Sequence, residues 1–320
     1  MDTRREIKRR CHLSRRDVLT MAGGGLVAGL SLGPDLAVAQ GTSHTFRVGA
    51  VECTVFSDGY LDMPASFVLP ERDEAAIRAV FAASGQTFAG LRAEINVVLV
   101  NIGKDVILID TGGGADFVPT VGKLAERLDA ASIKPEQITK VVFTHAHADH
   151  LWGVIDPLTG DSMFEKAQHV MTAAERDYWL QADIATRVPG AFQAMANGTQ
   201  RRLKAIAARL ETVKPDAEIA PGVQLVDTSG HTPGHCSVAI RSGNEQLLIG
   251  GDVLTQSVVS FAEPGWRWGP DMDADKAIAA RRGILDRLAK DRTRLLGYHL
   301  PWPGLGHVER HGTAYRFVPS

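Results

Sequence analysis

The chain has 320 residues, of which 44% are hydrophobic and 22% charged, and its formal net charge is −2. This ordinary globular composition allows a substantial core in one large domain or two. Because the first 39 residues carry seven Lys or Arg against four Asp or Glu, residues 40–320 have a net charge of about −5. A mildly acidic body of this kind argues against a nucleic-acid-binding protein.

The N-terminal segment, residues 1–39, has the pattern of a twin-arginine export signal. Basic residues from Arg4 to Arg10 precede Ser14-Arg15-Arg16-Asp17-Val18-Leu19, and an uncharged Gly/Ala-rich stretch then leads to Ala37-Val38-Ala39. The small residues predict cleavage after Ala39. Since the apolar stretch is short and rich in glycine for a membrane span, we expect a periplasmic or secreted protein, exported folded and without stable membrane insertion. A retained N-terminal anchor is the alternative.

The hydrophobic pattern after the signal predicts strands and helices along the whole chain. Short β-branched runs indicate strands, and apolar residues three and four apart indicate helices. Strands are expected near residues 45–47, 54–56, 97–100, 106–109, 141–143, 223–227, 237–241, 246–250 and 294–298, and helices near 73–83, 121–128, 173–181, 192–210 and 274–290. The pattern alone indicates a mixed α/β protein, with an insertion between residues 173 and 210 that shapes a pocket.

A dense polar cluster, Thr144-His145-Ala146-His147-Ala148-Asp149-His150, follows directly after the strand-like run Val141-Val142-Phe143. A loop at the end of a buried strand is where α/β folds commonly place ligands. Imidazole and carboxylate groups bind zinc and related divalent metals. His145 and His147 can converge on one ion, while Asp149 and His150 turn toward a second. The alternative is a polar loop with incidental histidines, but clustered imidazoles gain little without a metal or an acidic partner.

The cluster at residues 144–150 cannot by itself fill the coordination shells of two metal ions. The chain has further candidate ligands after three later strand-like runs. These candidates are His231 in Gly230-His231-Thr232-Pro233-Gly234-His235, Asp252 after Gly250-Gly251, and His299 after Gly297-Tyr298. His235 lies four residues after His231 and is a candidate to support the ligands rather than to bind the metal. For Asp252, the alternative is a cap on the following turn.

These motifs resemble the metallo-β-lactamase superfamily over residues 45–320. The resemblance implies an α+β fold for residues 40–320, an αββα sandwich of two mixed β-sheets flanked by helices. It implies that one metal ion is held by His145, His147 and His231, that the second is held by Asp149, His150 and His299, and that Asp252 bridges them. Asp149 and Asp252 are the candidate catalytic residues. Asp110 matches a position that supports the ligands in this superfamily, since ligating histidines need a partner for their other ring nitrogen.

Within the superfamily, the chain resembles the methyl parathion hydrolase-like and lactonase-like group most. The similarity lies in residues 299–307 and in the turn Ser57-Asp58-Gly59. In that group aromatic side chains wall the substrate pocket, and the matching positions are Phe117, Trp179 and Phe192. Packing in the core is the alternative for each of these aromatic residues.

The resemblance implies a hydrolase with two divalent metal ions, zinc first, with manganese, iron or cobalt as alternatives. A hydroxide bridging the ions would attack a small-molecule ester, lactone or organophosphate triester. A serine nucleophile is not indicated, because residues 40–320, the part of the chain after the export signal, contain no Gly-x-Ser-x-Gly motif. The competing hypotheses are an iron-dependent oxidoreductase, such as a persulfide dioxygenase-like enzyme, and a non-catalytic metal-binding protein. A homodimer is the default assembly. Whether Cys53 and Cys236 form a disulfide is left open by the sequence.

Overall fold

The computed structural model describes residues 42–188 and 190–320, which form two seven-stranded β-sheets with helices on their outer faces. The predicted export signal, residues 1–39, lies outside the described residues. The first sheet contains, in spatial order, β1 (Ser43–Val48), β2 (Val51–Met63), β3 (Leu91–Ile102), β4 (Asp105–Ile109), β5 (Lys140–Val142), β6 (Gln168–Thr172) and β7 (Leu210–Val213).

The second sheet follows in the chain. It contains, again in spatial order, β8 (Glu218–Ala220), β9 (Val223–Asp227), β10 (Cys236–Ser242), β11 (Glu245–Ile249), β12 (Arg294–Leu296), β13 (Leu305–His311) and β14 (Ala314–Pro319). Both sheets are mixed, because β4 to β7 pair in parallel, as do β11 and β12, whereas the remaining pairs are antiparallel.

The helices connect the strands on the outside of the sheets. They are α1 (Ala65–Val68), α2 (Glu74–Ala83), α3 (Leu124–Ala130), α4 (Ala148–Leu151), α5 (Ala173–Trp179), α6 (Ile184–Arg187), α7 (Gln193–Ala205), α8 (Val259–Ala262) and α9 (Ala274–Asp291). In the part of the chain that the structure describes, no helix combines the length and apolar character needed to cross a membrane.

The sheets pack face to face, and helices cover both outer faces. Strand β10 shows the pattern: Val238 and Ile240 lie in the core between the sheets, whereas Ala239 faces the core under α9. Because both faces of such a strand are buried, its sequence is a nearly continuous run of apolar residues. The predicted αββα sandwich is therefore confirmed. Cys53 and Cys236 are both free and lie in the core between the sheets.

A β-bulge in β2 anchors the loops that precede the site. The pairing of β2 with β3 shifts register between Ser57 and Gly59, which leaves Asp58 unpaired. Its buried carboxylate accepts hydrogen bonds from the main-chain N–H groups of Gly113 (2.9 Å), Gly122 (3.0 Å) and Leu124 (2.7 Å). The loop between β4 and α3 is thus tied to the sheet, which fixes the wall of the cavity described below.

Two predictions of secondary structure were wrong at their boundaries. The helix expected from residue 121 begins at Leu124, because Gly122 adopts a φ of 82° and bonds to Asp58 instead. The sequence also predicted a final strand at 294–298, but β12 ends at Leu296 and a further hairpin, β13 with β14, follows. The hairpin lies at the edge of its sheet, where polar side chains face solvent and hide the strand pattern.

Candidate metal centre

Four loops bring seven imidazole and carboxylate side chains together at one edge of the sandwich. Each loop follows the carboxyl end of a strand: β5, β9, β11 and β12. The side chains form two adjacent groups, and within each group the ligand atoms lie within 4.8 Å of one another. The first group contains His145, His147, His231 and Asp252, and the second contains Asp149, His150 and His299. All seven predicted metal ligands therefore lie together in the fold.

Asp252 lies between the two groups and faces each with a different oxygen. Its Oδ2 lies 3.2 Å from His231 Nε2 and 4.0 Å from His145 Nε2. Its Oδ1 lies 3.0 Å from His150 Nε2 and 3.2 Å from His299 Nε2. This is the arrangement that a carboxylate bridging two ions requires.

The other candidate ligand atoms of each group also lie close to one another. In the first group, Nε2 of His231 lies 3.0 Å from Nδ1 of His147. In the second, Oδ2 of Asp149 lies 3.3 Å from Nε2 of His299 and 3.6 Å from Nε2 of His150. The donor set is nitrogen and oxygen only, which suits zinc and also manganese, iron or cobalt.

Three of the histidines are oriented by a partner on the other ring nitrogen. Nδ1 of His150 lies 2.8 Å from Asp110 Oδ2, Nδ1 of His231 lies 2.9 Å from Asp271 Oδ1, and Nδ1 of His299 lies 2.8 Å from the carbonyl oxygen of Glu94. These bonds direct each Nε2 toward the centre, as in metalloenzymes generally. Asp110 therefore lies where the sequence predicted support.

Asp271 was missed by the sequence analysis. It lies 40 residues beyond His231 in a loop without periodicity, so no local signal marks it. Its second oxygen accepts a hydrogen bond at 2.9 Å from the buried guanidinium of Arg281, on α9. That guanidinium also donates to the main-chain carbonyls of Val253 and Trp266, so Asp271 is held rigidly behind His231.

His235 supports Asp252 and does not join either group. Its Nε2 accepts a hydrogen bond at 2.9 Å from the main-chain N–H of Asp252, and its Nδ1 lies 3.1 Å from the carbonyl oxygen of Thr228. Burial and the neighbouring His231 lower the pKa of His235 to about 3, so the ring is neutral. The neutral ring carries its proton on Nδ1 and accepts at Nε2, which holds the turn of Asp252 in place.

Three buried atoms at the centre fit a cation. Within the described residues, Nε2 of His145, Nε2 of His150 and Oδ1 of Asp252 have no hydrogen-bond partner. The last two lie 3.0 Å apart, but without the geometry of a hydrogen bond. Buried polar atoms are nearly always paired, so three unpaired atoms within the two ligand groups fit bound metal ions well.

The charges at the centre also favour a cation. Although burial opposes a positive charge, the carboxylate of Asp252 raises the pKa of His231 to about 9 and that of His299 to about 10. Burial, together with the neighbouring His231, lowers the pKa of His147 to about 3. Burial alone would raise the pKa of Asp252, but the surrounding imidazoles hold it well below its usual range. Asp252 thus concentrates negative charge among crowded imidazoles, where a divalent ion could replace the protons.

A cavity of about 730 Å³ opens onto the centre. Five of the candidate ligands line its floor, namely His147, Asp149, His231, Asp252 and His299. Its walls are mostly apolar and include Leu61, Met63, Phe67, Val68, Phe117, Val118, Val188, Phe192, Met195, Trp268, Pro270 and Met272. The volume and the lining are those of a site for a small, largely apolar molecule.

Of the three predicted pocket residues, Phe117 and Phe192 line the cavity but Trp179 does not. Trp179 is fully buried in the core beneath the first sheet, and its indole N–H donates at 2.7 Å to the carboxylate of Glu175. Trp179 thus follows the alternative of core packing, because the family resemblance on which the prediction rested does not reveal which face of α5 meets the core. Phe67, Trp268 and Met272 were not foreseen, since the one-turn helix α1 and the loop before α9, which carry them, have no sequence signature.

Residues 92–299 match the model of the metallo-beta-lactamase superfamily. The match covers more than half of the chain, which therefore belongs to this superfamily, a family that includes metal-dependent hydrolases. A probable metallo-hydrolase of Mycobacterium tuberculosis is 25% identical over 187 residues, 52% of this chain and 58% of that protein. An N-acyl homoserine lactonase of Bacillus cereus is 25% identical over 122 residues, 38% of this chain and 40% of that protein. The chain spans just over half the length of the first of these curated relatives, and less of the second.

Solved structures extend the similarity over nearly the whole described chain. AidC, a dizinc quorum-quenching lactonase solved with its product, is 28% identical with a TM-score of 0.81, covering 87% of this chain and 97% of that one. The hydrolase AbOPH is 28% identical with a TM-score of 0.80 over the same shares of the two chains. The predicted family resemblance is confirmed, with lactonases among its structural neighbours.

Proposed function

We propose that the protein is a binuclear metal-dependent hydrolase that acts on a lactone, an aryl ester or an organophosphate triester, with lactones as the first substrate class. The observation that carries the proposal is the position of Asp252, whose two oxygens face the two ligand groups at the floor of an apolar cavity. A dizinc lactonase among the structural neighbours supports zinc as the metal and lactones as substrates.

The residues present would hold one ion with His145, His147 and His231, and a second with Asp149, His150 and His299, and Asp252 would be a ligand to both. Two such ions supply Lewis acidity toward a carbonyl or phosphoryl oxygen and a hydroxide nucleophile at neutral pH.

The protein's own side chains supply the remaining requirements. The apolar walls exclude water and hold the acyl or aryl part of the substrate above the ligands. Asp149 keeps 12% of its side chain exposed on the cavity floor. It is therefore the carboxylate placed to hold the proton that is released when water adds to the substrate and to return it to the leaving group.

The test is kcat/KM of metal-quantified protein, residues 40–320, on an acyl-homoserine lactone, an aryl ester and methyl parathion. A preference of about a hundredfold for one substrate corresponds to roughly 2.7 kcal/mol of transition-state binding and would identify the substrate class. Asp252→Ala is the control, since it removes both bridging oxygens. Hydrolysis of none of these substrates by protein with two bound metals would count against the proposal, and one iron per chain would favour a dioxygenase.

We also propose that residues 1–39 direct export of the folded protein by the twin-arginine route. The supporting observation is the basic segment that contains Arg15 and Arg16, followed by an uncharged stretch and Ala37-Val38-Ala39. Replacing Arg15 and Arg16 by Lys is expected to leave the precursor in the cytoplasm, as cell fractionation would show. Unchanged export of that variant would contradict the proposal.

A further inference from the structure

Glu175 is a fully buried carboxylate on α5 that belongs to neither ligand group. It lies between the histidine loop, residues 144–150, and the turn formed by residues 230–235. A buried carboxylate is costly unless its oxygens are well bonded. Its partners therefore indicate what it does.

Each oxygen of Glu175 serves one of the two metal-binding loops. Oε1 accepts a hydrogen bond at 2.9 Å from the main-chain N–H of Ala146, which lies between His145 and His147. Oε2 accepts from the hydroxyl group of Thr232 at 2.7 Å and from the main-chain N–H of Gly234 at 3.0 Å. Thr232 directly follows His231, so one side chain joins the ligands contributed by both loops.

The surroundings of Glu175 leave little room for the loops to move. The hydroxyl group of Thr172, which caps α5, donates at 2.7 Å to the carbonyl oxygen of Gly234. A Cβ atom on Gly234 would lie 2.2 Å from the main-chain nitrogen of Glu175. On the other side, the indole of Trp179 donates to Oε1 at 2.7 Å. The turn is therefore packed against the start of α5.

We propose that Glu175 is a positioning residue, which sets the separation between the histidine loop and the turn and so fixes His145 and His147 relative to His231 for metal binding. The role rests on the proposed function, because it requires that these three histidines bind an ion. It differs from simple stabilisation of α5, which would lower the stability of the protein without changing its affinity for metal.

Glu175→Gln is the informative substitution, because the amide keeps the shape of the carboxylate but can accept with only one of its two ends. Whichever way it is oriented, its NH₂ group meets a main-chain N–H, either that of Ala146 or that of Gly234. Thr232→Val is a milder second variant that removes one donor at constant shape. Ile240→Val, in the core between the sheets, is the matched control for a general loss of stability.

The measurements are zinc affinity by competition with a chelator, the visible spectrum of the cobalt-loaded protein, and the melting temperature after chelation. We expect Glu175→Gln to weaken binding by about tenfold, the lower end of the effect of residues that orient metal ligands, and to change the cobalt spectrum. Thr232→Val should act in the same direction but less strongly. Ile240→Val should lower the melting temperature and leave zinc affinity and the cobalt spectrum unchanged.

Unchanged zinc affinity and an unchanged cobalt spectrum in Glu175→Gln and Thr232→Val would overturn the proposal, even if both variants melt at lower temperature. If Glu175→Gln does not fold, Thr232→Val decides the matter alone. A wild-type protein that binds neither zinc nor cobalt would instead overturn the proposed function, and the role of Glu175 with it. The two failures are thus distinguished by the wild-type measurement.

Discussion

The main-chain N–H of Asp252 donates a hydrogen bond of 2.9 Å to the buried imidazole of His235. The contact accounts for the glycine that precedes Asp252, since Gly251 has a φ of 56° and a Cβ there would lie 2.7 Å from Nε2 of His235. The carboxylate that we propose bridges the two ions is thus placed by a ring that belongs to neither ligand group.

Replacing His235 by Ala should destabilise the protein and loosen the turn of Asp252. Loss of the ring leaves the N–H of Asp252 and the carbonyl of Thr228 without their partner, at a cost of about 1–3 kcal/mol for a buried group. Urea unfolding of the chelated protein would measure this cost. The matched control is His307→Ala, whose side chain is 42% exposed and should be nearly neutral; equal effects of the two substitutions would refute the assignment.

Replacing Asp271 by Asn should weaken metal binding. The amide oxygen of Asn can still accept a hydrogen bond from His231, but its NH₂ group would then face the guanidinium of Arg281. Two donors cannot bond to each other, so the substituted side chain can serve only one of the two partners. Substitutions of this kind typically reduce metal affinity by about 10- to 100-fold. Chelator competition measures the change, and Asp275→Asn, at a side chain that is 85% exposed, is the control. Equal affinities for the two variants would count against the role of Asp271.

Tyr298→Phe should separate the two contacts that Tyr298 makes with the site. The ring stacks on His150 at 3.9 Å between centroids, and the hydroxyl group donates at 2.7 Å to the carbonyl oxygen of Asp149. Phe keeps the stacking and loses the hydrogen bond, which should cost about 1 kcal/mol in unfolding free energy and slow hydrolysis.

Tyr315→Phe is the control for this substitution. Tyr315 lies on β14, the edge strand of the second sheet, and the change removes the hydrogen bond that its hydroxyl group donates to Asp286. Hydrolysis by Tyr315→Phe should match that of the wild type. A full hydrolysis rate in Tyr298→Phe would show that the bond to Asp149 does not matter for the site.

His169 should make the stability of the protein fall in acid. Burial, with a contribution from Arg209, lowers the pKa of His169 from 6.5 to about 4. The unfolded chain therefore binds a proton between these pH values while the folded protein does not, so the stability is complete above pH 6.5 and falls as the pH approaches 4. The loss reaches roughly 3 kcal/mol.

The comparison that isolates this effect is chelated wild type against His169→Phe, which keeps the stacking on Phe143. Between pH 7 and pH 4, the wild type should lose roughly 3 kcal/mol more unfolding free energy than the variant does. A difference that stays constant over this range would contradict the low pKa of His169.

The sequence allowed the two groups of candidate ligands to be predicted, because each residue lies in a short motif at the end of an apolar run. His145, Asp252 and His299 could be assigned by resemblance, and the fold followed from the same motifs. Residues that act through tertiary contacts could not be found in this way. Asp271 and Glu175 become neighbours of the ligands only when α5 and the loop before α9 pack against the turn after β9.

The cavity walls show the same limit. Phe117 and Phe192 line the cavity, but Trp179 turns its ring into the core beneath the first sheet. The sequence of a short helix does not show whether an aromatic residue faces the core or the cavity, so its role is decided only by packing. The terminal hairpin of β13 and β14 was missed because its exposed residues break the apolar alternation of its strands.

The central claim is that two metal ions, joined by Asp252, make this protein a hydrolase. The most direct measurement is the rate of lactone hydrolysis by chelated protein as zinc is added in known equivalents. The account predicts negligible hydrolysis without zinc and a rate that rises until about two equivalents per chain are bound. Full activity of the chelated protein, or saturation at a single equivalent, would contradict it.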